Sequence, residues 1–317
     1  MTTWRVGAIL NESLPDTLRF VAWYLDHGAT AITLFFDDPD DAAIPMLRDF
    51  SSVTAIPCTV EFWQSLGVDH ATPFTKRQNL ALTWLYRSTE EEWLLNVDAD
   101  EFLYVKERSF SHVLACADPG VRTLRFPTAE NFNASHDLGA YHFRLQMRRG
   151  AMREVYEDYA WLFGPRNRGL VGHWHGKSVT RTGQKEVFLR QHWACDADGE
   201  RLSSDIVDES EGVFILHFAG TSYAPWRAKV DWRLGTGFSN TMRAAIADAR
   251  HAEHSEERLK DIHHALFDLT PRQVQRLSNL QRHLRLEIDF GSLIDAYFPN
   301  ASDVFRNSNH SGTSHSN

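Results

Sequence analysis

Acidic side chains recur directly after apolar segments in the first hundred residues. They stand at three positions, Glu12, Asp37-Asp38 and Asp98-Ala99-Asp100. Carboxylates brought to one place repel one another unless a cation or hydrogen-bond donors balance them. Hard divalent cations take oxygen ligands and keep waters and substrate phosphates in their coordination shell. If the three acidic segments converge, they therefore predict a bound divalent metal or a ligand rich in hydroxyl groups.

The segments before these acids alternate between strand-like and helix-like patterns. Short apolar runs predict strands at residues 4–10, 31–36, 53–57 and 93–97. Apolar spacing after Pro15 and a Thr72-Pro73 start predict helices between them. The alternation predicts an α/β fold with a Rossmann-like, mostly parallel central sheet flanked by helices. In such a sheet, the acidic turns share the carboxyl edge, where open α/β sheets bind ligands.

The second half of the chain has a more mixed pattern. Strands are predicted at 121–126, 177–182, 186–193 and 212–219, and a helix over 151–163. From about residue 224 the pattern is helical, including a run from Thr270-Pro271 to residue 288. We therefore predict a catalytic domain over 1–223, a helical C-terminal extension of the same domain over 224–300, and a disordered tail over 301–317.

Composition and missing motifs argue against several protein classes. The net charge is −9, which disfavours general nucleic-acid binding. Cys58, Cys116 and Cys195 form no disulfide or zinc pattern. There is no Gly-x-Gly-x-x-Gly and no Walker loop, which weakens dehydrogenase and P-loop interpretations. No signal peptide is recognisable, and no apolar run reaches the ~20 residues of a membrane span. We expect a cytoplasmic protein whose only membrane contact would be peripheral.

The chain resembles the family-2-like glycosyltransferases with an A-type, single Rossmann-like domain, and in particular a bacterial branch with an Asp-x-Asp-Glu-Phe motif. The matching segments are VGAILNE (6–12), FFDD (35–38), KRQNLAL (76–82), NVDADEFL (96–103), HGKS (175–178) and LHF (216–218). They span roughly residues 5–220. The DADEF segment, set between apolar residues, is the most specific of them.

The resemblance implies a role for each matched position. Asn11, Glu12, Asp37 and Asp38 would bind the donor nucleotide, with Glu12 and Asp38 at its base or ribose. Arg77 and Asn79 would lie near that nucleotide. Asp98 would contact the ribose or sugar, or help to hold the metal. Asp100 would ligate Mn²⁺ or Mg²⁺, and His217 would be a further metal ligand from the second half of the chain; imidazole favours Mn²⁺.

Sugar transfer also needs a group that relieves charge on the leaving diphosphate and a base for the acceptor hydroxyl. Lys177, or one of the neighbouring histidines, is a candidate for the first role. Glu130 is the first candidate for the base, because it follows a predicted strand in a polar loop. Its rivals are Asp158, Asp196 and Asp198. Four tryptophans of this half could stack on sugar rings, namely Trp161, Trp174, Trp193 and Trp226.

The function expected from these observations is metal-dependent, inverting sugar transfer. The donor would be a UDP- or GDP-sugar, and the acceptor a glycan or glycolipid hydroxyl, as in polysaccharide biosynthesis. Two alternatives stay open. A metal-dependent phosphohydrolase would use the same acids with water as acceptor. A non-catalytic carbohydrate-binding protein on the same fold would bind the donor without turnover.

Overall fold

The computed structural model describes residues 2–236, 238–299 and 301 of the chain. Its strands are β1 (Trp4–Leu10), β2 (Ala31–Phe36), β3 (Val53–Pro57), β4 (Trp93–Asn96), β5 (Glu101–Val105), β6 (Thr123–Phe126), β7 (Thr128–Phe132), β8 (Tyr141–Leu145), β9 (Lys177–Arg181), β10 (Phe188–Leu189), β11 (Ala194–Cys195), β12 (Asp205–Ile206), β13 (Val213–His217) and β14 (His283–Leu286).

Eleven α-helices lie between these strands in the described part of the chain. They are α1 (Leu14–Asp26), α2 (Ala43–Leu47), α3 (Val60–Ser65), α4 (Phe74–Ser88), α5 (Phe110–Ala115), α6 (Arg149–Tyr156), α7 (Tyr223–Thr236), α8 (Asn240–Arg250), α9 (Ser255–Phe267), α10 (Pro271–Asn279) and α11 (Phe290–Tyr297). Two 3₁₀ helices lie at Glu157–Phe163 and Glu209–Glu211. None of the described helices is long and apolar enough to cross a membrane.

The chain divides into two compact units, each built from separate segments. Of the described residues, the first unit contains 2–126, 177–213, 289–299 and 301, and the second contains 127–176, 214–236 and 238–288. The boundary predicted at residue 223 falls inside the second unit, and the domain division predicted from sequence stays a prediction. The predicted disordered tail, apart from Ala301, lies outside the described residues.

The first unit contains a seven-stranded sheet in the order β12-β6-β9-β4-β1-β2-β3. Strand β9 is antiparallel to both of its neighbours, and the other paired strands are parallel. Both faces are covered by helices. On one face, α4 packs so closely that a Cβ on Gly7 would lie 2.6 Å from Leu85 Cδ2. On the other face, Trp4 packs edge-on against Tyr24 of α1 and Phe110 of α5. The predicted parallel-rich sheet flanked by helices is confirmed.

Local sequence explains where the helix after β1 begins and ends. The Ser13 hydroxyl caps α1 by accepting a hydrogen bond from the Asp16 amide, and Pro15 occupies its first turn. The helix ends before Gly28, whose φ of 78° suits glycine better than any other residue. In the first unit, α11 then packs on α1 through Phe290 and Trp23. The predicted first helix is therefore confirmed.

The second unit contains strands β14, β8, β7 and β13 in that order, with helices α6 to α10. The predicted helix from residue 271 to 288 is wrong beyond α10. The chain leaves the helix at Gln281, which has a positive φ of 55°, and residues 283–286 form β14. In that strand, Leu284 and Leu286 pair with Phe143 and Tyr141 of β8. Tertiary pairing therefore decides the structure of a segment whose composition also suits a helix.

A pair of histidines links β8 and β14 inside the second unit. His142 Nδ1 and His283 Nε2 lie 3.0 Å apart, and the two rings stack with an interplanar angle of 12°. The Ser278 hydroxyl lies 2.9 Å from the other nitrogen of His283. Burial, followed by the proximity of His142 and Arg285, lowers the pKa of His283 to about 4, and Asp137 opposes this effect.

This lowered pKa predicts acid destabilisation. The folded pKa of His283 lies below its usual 6.5, so between these values the unfolded chain binds more protons at this site. The free energy of unfolding should therefore fall as pH drops from 6.5 towards 4. Urea unfolding of the wild type and of His283→Gln across this range checks the prediction, since the difference between the two proteins isolates this site. A difference that is independent of pH would contradict it.

Candidate active site

The three acidic turns follow strands that are adjacent and parallel in the first unit. In the sheet, Leu10 of β1 lies opposite Phe36 of β2, and Gly7 of β1 lies opposite Asn96 of β4. Because parallel strands point the same way, the residues that follow them emerge at one edge. The sheet register therefore brings Glu12, Asp37 and Asp98 to the same carboxyl edge, as the sequence predicted.

A tight turn holds the acid motif after β4. The Glu101 amide donates to the Asp98 carbonyl over 3.1 Å, and the Asp98 amide donates to Glu101 Oε2 over 2.8 Å. The Asp98 and Glu101 carboxylates both contact the ammonium group of Lys177, at 2.7 Å and 3.0 Å. The third contact of Lys177 Nζ is the Gln191 carbonyl, at 3.0 Å. All three ammonium donors are thus used.

The buried charge of Lys177 is stabilised by its two carboxylates. Its side chain is only 1% exposed. Burial alone would lower the pKa of Lys177, but the charges and hydrogen bonds of Asp98 and Glu101 raise it above its usual value overall. Lys177 was predicted to steady a leaving diphosphate, yet in this arrangement its three hydrogens already have acceptors. The geometry favours a role in holding the acid motif.

Replacing Lys177 by Met should leave the Asp98 and Glu101 carboxylates facing each other without their shared cation. Like charges raise the pKa of one of the two acids, so the variant should lose stability at neutral pH and recover part of it as pH falls through that raised pKa. Urea unfolding of Lys177→Met at pH 7 and pH 5 checks this. Lys185→Met, which removes an exposed lysine, is the matched control. Equal stability losses in the two variants at pH 7 would contradict the prediction.

Two glutamines extend the network around Asp98. Gln78 Nε2 donates to Asp98 Oδ1 over 2.8 Å, and Gln191 Nε2 donates to Gln78 Oε1 over 2.7 Å. Both Asp98 oxygens therefore accept a hydrogen bond. Gln78, Gln191 and the role of Glu101 were not predicted from the sequence. Two signals were present: Gln78 lies between Arg77 and Asn79, and Glu101 stands at the turn spacing of three after Asp98.

Arg77 is paired with Asp37 at the end of β2. Two guanidinium nitrogens contact the two Asp37 oxygens, and Nε donates to the Thr72 carbonyl over 3.1 Å. The guanidinium also lies 4.9 Å from the ring of Trp63. Arg77 is 5% exposed, so it fixes the turn after β2. Asp38, by contrast, is exposed.

The remaining predicted donor-binding residues differ in exposure. Asn11 is exposed, and Glu12 is half-buried at the end of β1. Asn79 is half-buried on α4, and its Oδ1 has no hydrogen-bond partner within the described residues. Their contact with a nucleotide stays a prediction.

Glu130 lies in a buried strand of the second unit, so the predicted polar loop is wrong. Glu130 and Arg144 are both 0% exposed, at opposed positions of β7 and β8. Arg144 Nε and Nη2 donate to Glu130 Oε2 over 2.9 and 2.6 Å. The Val171 and Gly172 amides donate to the same carboxylate over 2.8 and 2.6 Å. A fully buried carboxylate that accepts hydrogen bonds from four donors fits an anchoring role better than that of a base for an acceptor.

The rival carboxylates lie near the surface. Asp158 is an exposed residue of the first 3₁₀ helix. Asp196 is half-buried and accepts a hydrogen bond from the Glu200 amide, and Asp198 is exposed. The identity of the base stays a prediction.

His217 lies beside Glu130 at the end of β13. The two residues are opposed in the parallel β13–β7 pair, and His217 Nδ1 lies 3.8 Å from Glu130 Oε1. Gly172 packs against both side chains, because a Cβ there would lie 2.7 Å from His217 Cε1 and 3.0 Å from Glu130 Oε1. The backbone at residue 172 therefore approaches both side chains at a distance that only glycine permits.

The predicted metal ligands are distributed over the two units. Asp98 and Asp100 belong to the first unit, and His217 belongs to the second. Within the described residues, no group of three or more histidine, cysteine, aspartate or glutamate side chains is placed to hold an ion. Carboxylate oxygens are nevertheless the ligands that Mg²⁺ and Mn²⁺ take, together with waters and substrate phosphates. Asp100 can supply one such oxygen ligand, whereas both Asp98 oxygens already accept hydrogen bonds, from Gln78 and Lys177.

No family model and no curated protein matches the chain. Among solved structures, it is similar to the mannosyltransferase PcManGT from Pyrobaculum calidifontis in complex with GDP-Man and Mn²⁺, with 12% identity, a TM-score of 0.36, and coverage of 96% of this chain and 79% of that one. It is also similar to HddC from Yersinia pseudotuberculosis, with 13% identity, a TM-score of 0.29, and coverage of 44% and 67%. A third similar structure is the galactosyltransferase LgtC in complex with donor and acceptor sugar analogs. Its identity is 12% and its TM-score 0.24, with coverage of 56% of this chain and 57% of that one. At these identities and TM-scores the similarities assign no family.

Proposed function

We propose that this chain is a metal-assisted glycosyltransferase. It would transfer a sugar from a UDP- or GDP-sugar to a hydroxyl of a glycan or glycolipid, with inversion, as part of cytoplasmic polysaccharide biosynthesis. The observation that carries the proposal is the carboxyl edge of strands β2, β1 and β4. Acids from three distant segments follow these strands at that edge, and the buried Lys177 holds the turn that contains Asp98 and Asp100.

The donor nucleoside fits the hydroxyl-binding character of this edge. Carboxylates accept hydrogen bonds from ribose hydroxyls, and Asp38 is exposed at the end of β2 to do so. We assign Asn11, Glu12 and Asp37 to the same donor region, and we place Arg77 and Asn79 beside it. Arg77 would act by fixing Asp37, since its guanidinium is already paired with that carboxylate.

The metal would be held by Asp100, supported by the turn that Asp98, Glu101 and Lys177 stabilise. When bound, Mn²⁺ or Mg²⁺ would act as a Lewis acid that relieves the negative charge of the departing diphosphate. Within the second unit, we propose His217 as a metal ligand through Nε2, because its Nδ1 faces Glu130. A carboxylate beside the second ring nitrogen is the usual way to orient a metal-bound histidine. Glu130 would therefore position His217.

A thermal-shift screen of UDP- and GDP-sugars, with and without Mn²⁺, tests this function. We expect at least one donor to raise the melting temperature only when metal is present, since a ligand that binds the folded state alone stabilises it. That donor should then release nucleoside diphosphate faster when a saccharide acceptor is added. Equal release in water alone would indicate a phosphohydrolase, and binding without turnover would indicate a carbohydrate-binding protein. Either result, or no binding of any donor, would overturn the proposal.

The histidine ligand gives a separate prediction. His217→Ala should weaken Mn²⁺ affinity by at least about tenfold, as loss of even an outer partner of a metal ligand does. Titration of the paramagnetic ion, followed by water proton relaxation, measures this affinity directly. His254→Ala removes an exposed histidine of the same unit and is the control. Titration curves that coincide for all three proteins would make His217 a structural residue.

A further inference from the structure

A cavity of about 530 Å³ lies within the second unit. Its walls come from α6, from the 3₁₀ helix at Glu157–Phe163 and from α8. The side chains that matter here are Arg149, Arg153, Glu157, Asp158, Trp161 and Thr241. The volume is in the usual range for small-ligand sites.

Helix α6 presents two arginines to this cavity. Arg149 and Arg153 are four residues apart, so they lie on the same face of the helix. Met152, Val155 and Tyr156 of the same helix are buried in the core of the unit. Both arginines are exposed, and neither side chain has an ion-pair partner within the described residues. Two arginines on one helix face without an ion pair to a described residue can supply the wall of an anion-binding site.

The 3₁₀ helix supplies an aromatic surface and an acceptor on the same wall. Residues three apart eclipse each other in a 3₁₀ helix, so Asp158 and Trp161 project to the same side. Trp161 is 53% exposed. At the end of this helix, Gly164 has a φ of 69°, and a Cβ there would lie 3.2 Å from Thr241 Oγ1. This close approach brings the Thr241 hydroxyl of α8 to the cavity.

The charges around the cavity leave it positive. Glu157 is paired with Arg276, at 2.5 Å, and the Arg276 hydrogen bond and charge lower the pKa of Glu157. Asp158 is therefore the acid that remains against the guanidinium groups of Arg149 and Arg153. This local excess stands out on a chain whose net charge is −9. A ligand for this cavity should carry negative charge as well as groups that an indole ring and a hydroxyl can bind.

We propose that this cavity binds a saccharide that carries carboxylate groups, such as a uronate segment of a glycan. The arginines would form paired hydrogen bonds with the carboxylate. The C–H face of the sugar ring would stack on the indole of Trp161, and Asp158 and Thr241 would bind ring hydroxyls. The inference does not rest on the proposed sugar transfer, because it concerns binding that requires neither donor nor metal.

Direct binding of an oligogalacturonate tetramer, measured by isothermal titration calorimetry without nucleotide or metal, tests the proposal. A neutral maltotetraose of the same length and inorganic phosphate are the comparison ligands. We expect the tetramer to bind at least about tenfold more tightly than either, since it alone offers both a carboxylate and a stacking ring. Equal binding of the neutral tetramer would remove the role of charge. Equal binding of phosphate would reduce the cavity to a simple anion site, and either result would overturn the proposal.

Variants locate the binding within the cavity. The double variant Arg149→Gln/Arg153→Gln and the single variant Trp161→Ala should each weaken oligogalacturonate binding by about tenfold or more. Arg258→Gln and Trp232→Ala replace exposed residues of the same unit outside the cavity and should bind like the wild type. Because all these residues are exposed, the four variants should have the melting temperature of the wild type. Wild-type affinity in both cavity variants would place the ligand elsewhere.

Discussion

Replacing Asp100 by Asn is expected to abolish the effect of Mn²⁺ on donor binding while leaving the fold intact. Asn keeps the size of the side chain but removes the charge that a hard cation requires. Since altering even an outer partner of a metal ligand costs roughly 10–100-fold in metal affinity, loss of a ligand itself should reach at least the upper end of that range. Calorimetric titration of the selected UDP- or GDP-sugar, with and without Mn²⁺, measures the effect.

The matched control for this variant is Asp40→Asn. Asp40 is an exposed acid in the turn after β2, so its replacement removes the same charge from the same edge of the sheet. The control should retain metal-dependent donor binding, and both variants should unfold at the wild-type temperature. A metal-dependent donor affinity that is unchanged in Asp100→Asn would remove the metal site from the acid motif.

The second large effect concerns the stability of the second unit. Arg144→Met should lower the free energy of unfolding by about 3–5 kcal/mol, because removal of one partner leaves the Glu130 charge buried and uncompensated. Arg144 is 0% exposed. It also donates to the Leu266 carbonyl over 2.5 Å and lies 5.2 Å from the ring of Phe163. The variant therefore also loses contacts to the helical part of the unit. Urea unfolding at neutral pH measures the change.

A double variant separates the charge effect from the loss of packing. The Val171 and Gly172 amides donate to different Glu130 oxygens. In Glu130→Gln/Arg144→Met, the Gln carbonyl can therefore still accept from one of them, and no buried charge remains. The double variant should therefore be more stable than Arg144→Met alone, which is the non-additivity expected of residues in contact. Arg258→Met, at an exposed site, should cost less than about 0.5 kcal/mol. If the double variant were less stable than the single variant, burial of an unpaired charge would not be the cause.

The first half of the fold could be predicted from sequence because its signals are local. Strands β1, β2 and β3 have the predicted bounds at 4–10, 31–36 and 53–57. Strands β1 and β2 are apolar runs flanked by turn and cap residues, as expected for strands buried on both faces of a parallel sheet, whereas β3 is an edge strand and is only partly buried. The common edge of the acidic turns then followed from topology alone, and it required no knowledge of side-chain contacts.

Predictions in the second half failed where distant residues decide the structure. The predicted strand over 186–193 shortens to Phe188–Leu189, which pairs with Ala194–Cys195. The predicted helix over 151–163 becomes α6 followed by a 3₁₀ helix, because Glu157 adopts a φ of 50°. Neither the short pairing nor this backbone bend has a strong local signal. The sequence pattern therefore predicts whether these segments are helix or strand better than it predicts where they end.

The acidic residues of the candidate site could be predicted from the sequence, but the side chains that pair with them could not. Glu130 was placed in a polar loop because the segment 126–133 contains Thr, Glu and Asn. The side chain that makes its burial tolerable, Arg144, lies fourteen residues away on the next strand. Lys177 was identified, but its carboxylate partners could not be inferred from a separation of 79 residues. Buried charged residues need partners, and a single sequence does not specify which residues supply them.

Because each unit is built from segments distant in sequence, its folding must wait during translation of the chain. Strand β1 needs β4 and later β9 for its sheet, and the first unit also needs α11, which packs on α1. Residues 127–176 must likewise await residues 214–288 to complete their unit. A nascent chain emerging from the ribosome therefore holds incomplete sheets until almost 300 residues have been translated. Exposed strand edges during that interval favour aggregation, so overproduction should depend strongly on chaperones and on translation speed.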